Sequence, residues 1–264
     1  MSELTRREVG KWVAAAAVVA VAGVAAGQQP PKVPLDPPAA AAPDATRVAD
    51  PLGAMLADAR TAYAKVRDYT CTFTRQERIN DVLGAEQVAE MKVRAQPAAA
   101  LVRFAKPEAA FGLEMLYAAN KRDGKIRYRP GGLKAATTVV AADDPKLLAE
   151  NRHPVTQLGV GPTLDLLGSI AAREKAMGNP VEVYASDYKF AGAAVTRYEV
   201  YTRRPHAHRY AYKVTVYVDK ETKLPVRFEA YDQPKSGSAA GDLLEAYSYT
   251  NLKLNAGLGD ATFE

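Results

Sequence analysis

The chain has a single cysteine, Cys71, in 264 residues. No intrachain disulfide and no thiolate cage around a metal can form from it. Cys71 sits inside an alternating pattern, so it reads as a small buried hydrophobe. Blocks of one charge are also missing. Lys and Arg number 35 against 30 Asp and Glu, giving a formal charge of +5, and the signs are interspersed, which argues against a nucleic-acid interface. The aromatic set holds one Trp and 6 Phe but 14 Tyr. Tyr joins an apolar ring to a polar tip and suits strands with one wetted face.

Catalytic signatures are lacking as well. Ser169, Ser186 and Ser248 have no nucleophile-elbow context. The "GVGP" run from Gly159 is too short for a phosphate loop and lacks its Lys. His206 and His208, two apart, could share a strand face and seat a metal. Pro205 makes a loop edge the alternative, and no third ligand is near. His153, with Arg152 and Thr156, suggests either acid–base work or a positioning role in a loop. No cofactor, no metal and no enzymatic activity are expected.

The longest apolar run, Val13 to Ala26, falls short of the roughly 20 residues of a membrane span. A basic start and a small-residue, polar end make residues 1–27 a secretory signal, cut near Ala26 or Gly27. An uncleaved anchor is the alternative. Thr5-Arg6-Arg7 followed by Val9 and Lys11 resembles a twin-arginine export signal, with the ordinary export route as its rival. Residues 28–49 are rich in Pro and Ala and read as an extended tether.

The domain expected over 50–264 opens with Asp50-Pro51, an N-cap followed by Pro at the first helical position. Leu52, Met55, Leu56, Ala59, Tyr63 and Val66 form one apolar stripe behind it. Further helices are expected near Lys146–Asn151 and from Pro162 to Met177. The remainder alternates as strands separated by turn chemistry, including a hairpin at Asp123-Gly124 and another over Asp219–Lys223. In "DYTCTFTRQERI" Tyr69, Cys71 and Phe73 point to the apolar side, with the Thr and Arg neighbours facing water. No βαβ repeat occurs. The fold class is therefore α+β: one curved antiparallel sheet of about ten strands, a half-barrel, with two or three helices on its concave face. Two substantial helices cannot tile ten strands, so an apolar hollow is expected. Its lining candidates are Phe73, Met91, Val93, Phe104, Met115, Tyr117, Val214, Val216 and Phe228.

Three stretches carry a family likeness. "LADARTAYAKVRDYTCTFTRQER" resembles the opening helix and first strand of the LolA-like periplasmic lipoprotein carriers. "VTVYVDKETKLPVRFEAYD" resembles their late hairpin, and "YSYTNLKLNAGLGDATFE" their closing pattern. "YTCTFTRQER" with "RHPVTQLGVG" also resembles a secreted bacterial family known only as a domain of unknown function, DUF1571. The carrier resemblance implies a cavity for acyl chains and an Arg, before a Pro, that latches the lid helices. Arg94 in "KVRAQP" is the nearest match, and a solvated strand residue is the alternative. The function expected is an extracytoplasmic carrier or binder of an apolar ligand: an acyl chain, lipid or lipoprotein. Each methylene removed from water would contribute ~0.8 kcal/mol. The alternative is an envelope protein-interaction or sensor module on the same scaffold. Oligomeric state stays open.

Overall fold

The computed structural model describes residues 50–132, 136–179, 181–235 and 241–264. The expected signal (1–27) and tether (28–49) lie outside them.

Helix α1 (Pro51–Tyr63) starts as its sequence dictates. The Asp50 carboxylate accepts from the Gly53 amide at 2.8 Å, and Pro51 takes the first position. Leu52, Met55, Leu56 and Ala59 are buried. The helix stops at Tyr63, and Val66 still reaches the core from the following turn. Strands β1 (Asp68–Ile79), β2 (Val82–Leu83), β3 (Gln87–Arg94), β4 (Ala99–Lys106), β5 (Glu114–Ala118), β6 (Ile126–Arg129) and β7 (Thr138–Val140) follow. Next come a single helical turn α2 (Pro145–Leu148) and helix α3 (Val160–Ala176). Strands β8 (Glu182–Phe190), β9 (Ala193–Tyr201), β10 (Lys213–Asp219), β11 (Pro225–Tyr231) and β12 (Leu243–Leu254) complete the chain.

All pairings are antiparallel, and the described strands form one open, 12-stranded sheet. Its order is β7-β6-β5-β4-β3-β1-β12-β11-β10-β9-β8, with β2 paired to β1 alone. The count exceeds the expected ten, and the strand not foreseen is the two-residue β2, too short to give an alternation. The two hairpins form where turn chemistry places them. Asp123 and Gly124 take left-handed backbone angles, and Asp219 accepts from the Thr222 amide at 2.7 Å. The central neighbours, β1 and β12, are the two longest strands and join opposite ends of the domain.

One face of the sheet carries α1 and α3. Its core is built from Tyr69, Cys71, Phe73, Met91, Phe104, Val214, Val216, Phe228, Tyr247 and Tyr249 against Val160, Leu164, Leu167 and Ile170 of α3. Burying each large apolar side chain contributes about 1.5–3 kcal/mol. The start of α3 is fixed by hydroxyl groups from the sheet. The Gly159 amide donates to Tyr249 Oη at 3.2 Å, and the Val160 amide donates to Tyr69 Oη at 2.9 Å. Two of the helix's orphan N–H groups are thus satisfied without a capping side chain of its own. Gly159 has φ 118°, and a Cβ there would stand 2.6 Å from Tyr69 Oη. Only glycine fits, which accounts for the "GVGP" run without a phosphate.

The opposite face holds a second, smaller core. Phe263 is fully buried against Ala99, Leu101, Leu116 and Ala118. The Arg94 guanidinium lies 5.0 Å from its ring centre and pairs with Asp260. Arg94 is therefore on the face away from α1 and α3, and its expected role as a latch on the helices is corrected. Adjacent residues in a strand point to opposite faces, and Val93 holds the inner position. Arg94 instead anchors the C-terminal turn.

Phe263→Ala should cost ~3 kcal/mol of unfolding free energy, the lower end for emptying a buried Phe site. Urea denaturation checks this. A loss under about 1 kcal/mol would mean that the turn's packing adds little beyond an ordinary surface change.

Candidate functional site

Most of the helix-covered face is closed by packing. Phe73, Met91, Val93, Phe104, Met115, Val214 and Val216 are buried there, and Tyr117 is partly buried beside them. They come together as filled core. Met115 also borders a void of about 10 Å³, room for one water at most. Of the expected lining set, Phe228 alone reaches the main cavity.

That cavity measures about 360 Å³, at the lower end of ligand pockets. Phe228 of β11 and Tyr247 and Tyr249 of β12 form its sheet side. Leu158, Pro162, Thr163 and Leu166 supply the side toward α3, with Thr156 and His153 from the preceding loop. Gln157, Asp165 and Ser169 are exposed and form its rim. The aromatic side is braced by a row of near-parallel rings. Phe73 stacks on Tyr249 at 5.6 Å and on Tyr247 at 6.0 Å, and Tyr247 stacks on Phe228 at 6.3 Å.

Behind Tyr247 the inner face turns polar. The inward residues of β1 continue from Phe73 to Arg75 and Glu77, and those of β12 run Glu245, Tyr247, Tyr249. The expectation that the Arg of "DYTCTFTRQERI" faces water is corrected for Arg75. It is 6% exposed, stacks over Phe104 at 4.7 Å and donates to Gln87 at 2.7 Å. Strand parity sets its direction, and its aliphatic stem and planar head suit a ring surface.

Glu245 is fully buried. It accepts from Arg152 Nε at 3.0 Å, His153 Nε2 at 2.9 Å, Tyr247 Oη at 3.0 Å and Tyr210 Oη. Glu77 accepts from the Arg152 amide at 3.3 Å and from Tyr247 Oη. The loop between α2 and α3 is thereby pinned onto β1 and β12 through two consecutive residues. Burial pushes the Glu245 carboxyl up, but His153, Tyr210 and Arg152 outweigh it and hold the carboxyl below its ordinary value. Burial likewise depresses His153. Glu245, then Gln157 and Glu77, overcome that and raise the imidazole above its ordinary value. His153 thus serves as a half-buried positioning residue, with Nδ1 engaged by Gln157 at 3.1 Å.

The sequence reading missed Glu77, Glu245, Arg152, Tyr210, Tyr247 and Tyr249 as a group. Parity carried the signal: an inward carboxylate on each of two paired strands requires partners from above. The remaining histidines diverge in role. His206 meets the buried Glu174 of α3 at 3.0 Å, and the His208 carbonyl accepts from Arg173. Among the described residues no group of three or more His, Cys, Asp or Glu is placed to hold a metal. Burial pushes the Cys71 thiol up to about 12, so it stays protonated.

Comparison with known proteins gives a family match over residues 66–264, described as "Protein of unknown function (DUF1571)". No curated protein matches. Solved structures with similarity include the Mycobacterium tuberculosis lipoprotein LppX, 16% identical with a TM-score of 0.46, covering 79% of this chain and 97% of that one. A LolA superfamily protein from Nitrosomonas europaea is 10% identical with a TM-score of 0.33, covering 81% and 97%. MucB, solved in complex with MucA(peri), is 16% identical with a TM-score of 0.42, covering 81% of this chain and 59% of that one.

The buried pair has a pH signature. Glu245's contribution is complete above its ordinary 4.5 and is lost as pH falls through its lower folded value. His153's contribution is complete below its ordinary 6.5 and is lost as pH rises through its higher folded value. Stability from the pair is therefore greatest between these two ordinary values and persists somewhat above the upper one. Glu245→Gln should cost ~3 kcal/mol near pH 6, since the half-buried Arg152 and His153 lose a fully buried partner, and should flatten the alkaline decline. Urea titrations at pH 5, 6, 7 and 8 test both; an unchanged pH profile would count against the pair.

Proposed function

We propose, from the premise that the chain belongs to the DUF1571 family, that its domain binds an apolar ligand outside the cytoplasm. The ligand is an acyl chain or a lipid bearing one, held in the cavity between α3 and strands β11 and β12. The single observation that carries this is the 360 Å³ space itself, running from the exposed Asp165 and Ser169 to the buried rings of Phe228 and Tyr249. An occupied water site takes about 30 Å³, so the space matches about a dozen water-sized groups. A ten-carbon chain fits that scale and would gain roughly 8 kcal/mol by leaving water, before ordering costs.

Binding here needs no covalent chemistry. His153 has both ring nitrogens engaged by protein groups, and the Cys71 thiol is protonated and buried. Both facts support a binder over an enzyme. The leader expected from the sequence of residues 1–27 supports a place in the cell envelope. None of the described helices is long and apolar enough to cross a membrane.

The neutral fluorophore N-phenyl-1-naphthylamine should bind the purified mature domain at micromolar concentration and be displaced by single-chain lipids. Leu166→Trp, which fills the cavity from its α3 side, should weaken uptake at least tenfold with the melting temperature within a few degrees. Native mass spectrometry of protein taken from the cell envelope should show added lipid mass. Empty protein together with no fluorophore uptake would overturn the proposal. It would favour the interaction-module alternative, for which β8, an edge strand among the described residues, offers a ladder unpaired there.

A further inference from the structure

We infer that the cavity selects a chain-bearing ligand whose head is a cationic hydrogen-bond donor, an alkylammonium, over one headed by a carboxylate. This rests on the binding function proposed above and assigns the head chemistry at the same site.

Two side chains with ionisable groups line the space, His153 and Asp165. The imidazole is already engaged. Its Nε2 lies 2.9 Å from the buried Glu245 carboxylate and its Nδ1 3.1 Å from Gln157 Oε1. Neither ring nitrogen remains for a ligand, and any charge the ring carries is matched within the protein. Arg152 lies farther back, on Glu245 and the Arg78 carbonyl, outside the lining. Asp165 differs. It stands exposed on the rim, and no ion pair among the described residues engages it. The one basic residue of α1, Arg60, has its guanidinium against Gly168, one helical turn from Asp165, and does not line the cavity.

The hydroxyl groups follow the same pattern. Ser169 donates to the Leu166 carbonyl at 2.7 Å, leaving its oxygen lone pairs free to accept. Thr163 is engaged with the Gly159 carbonyl and with Tyr249. On the α3 side the rim therefore offers acceptors, Asp165 and Ser169, while Gln157, its Oε1 taken by His153, keeps its amide N–H groups. An ammonium seated there would donate to Asp165 and Ser169 while its chain passed down to Leu158, Leu166 and Phe228. A carboxylate in the same place would face Asp165, and the cavity lining holds no unengaged basic side chain to meet it. Because Asp165 is exposed, solvent screens the effect, and the discrimination is that of surface ion pairs.

The test uses decylammonium, 1-monodecanoylglycerol and decanoate as competitors against bound N-phenyl-1-naphthylamine. Conditions are pH 7, 0.15 M salt and concentrations below aggregation. The mature chain should bind decylammonium about fivefold or more tighter than decanoate, with the neutral glyceride between them. Asp165→Asn should shrink the ammonium-to-decanoate ratio toward one, and Asp165→Lys should invert it. Circular dichroism confirms that each variant is folded. Decanoate binding as tightly as decylammonium, or a ratio unmoved by Asp165→Asn, overturns the head assignment and leaves the cavity's binding function standing. Failure of all three competitors on folded protein overturns the binding function itself.

Discussion

The structure depends on a carboxylate that has no water. Glu245 is fully buried at the centre of the sheet, where an isolated ionised carboxylate could not persist. Four groups surround it: Arg152, His153, Tyr210 and Tyr247. They come from the loop before α3, from the loop between β9 and β10, and from β12 itself. Meeting the needs of one charge thus fixes where two irregular loops lie. Apolar residues in place of the whole network would serve stability as well, but they would not dictate which side chains cover the site. The charge supplies direction where hydrophobic contact supplies only proximity.

The tyrosines extend the same logic to α3. Tyr69 and Tyr249 reach up from β1 and β12 and use their hydroxyls to cap the helix start. Their rings stand between the sheet and the helix backbone, so helix height is set by the length of a phenol. A helix packed by apolar side chains alone could settle until its voids closed. Here its first turn is held by hydrogen bonds at one end, and the preceding loop is held by Glu77 and Glu245 at the other. The cavity lies between these two sets of fixed points, beside Phe228, Tyr247 and Tyr249.

How legible was this in the sequence? The Asp50-Pro51 helix start, the hairpins at Asp123-Gly124 and Asp219–Lys223, and the antiparallel class were all readable, because local turn and cap chemistry decides them. The inward set Tyr69, Cys71, Phe73 was readable from alternation. Arg75 and Glu77 were not, because the pattern there changes chemistry while the parity continues. A charged residue at an inward position looks like the end of the buried face until its partner is known, and Arg152 and Glu245 lie far off in the chain. Arg94 failed for a related reason. The carrier resemblance implied a latch, whereas its true partners, Asp260 and Phe263, arrive from the C-terminal turn.

The location of the cavity follows a rule that alternation alone does not express. Many strands and few helices imply a surplus of apolar face. Most of that surplus is in fact closed, because α1, α3 and the loop residues Val155 and Leu158 fill the space over Phe73, Met91, Phe104 and Val216. Space survives where covering elements are held by directional bonds and cannot slide inward to close it. Apolar coverage determines how much hollow a sheet could leave. Polar anchors determine which part of it stays open, and in this chain they leave it beside Tyr247, whose hydroxyl touches both buried carboxylates while its ring lines the void.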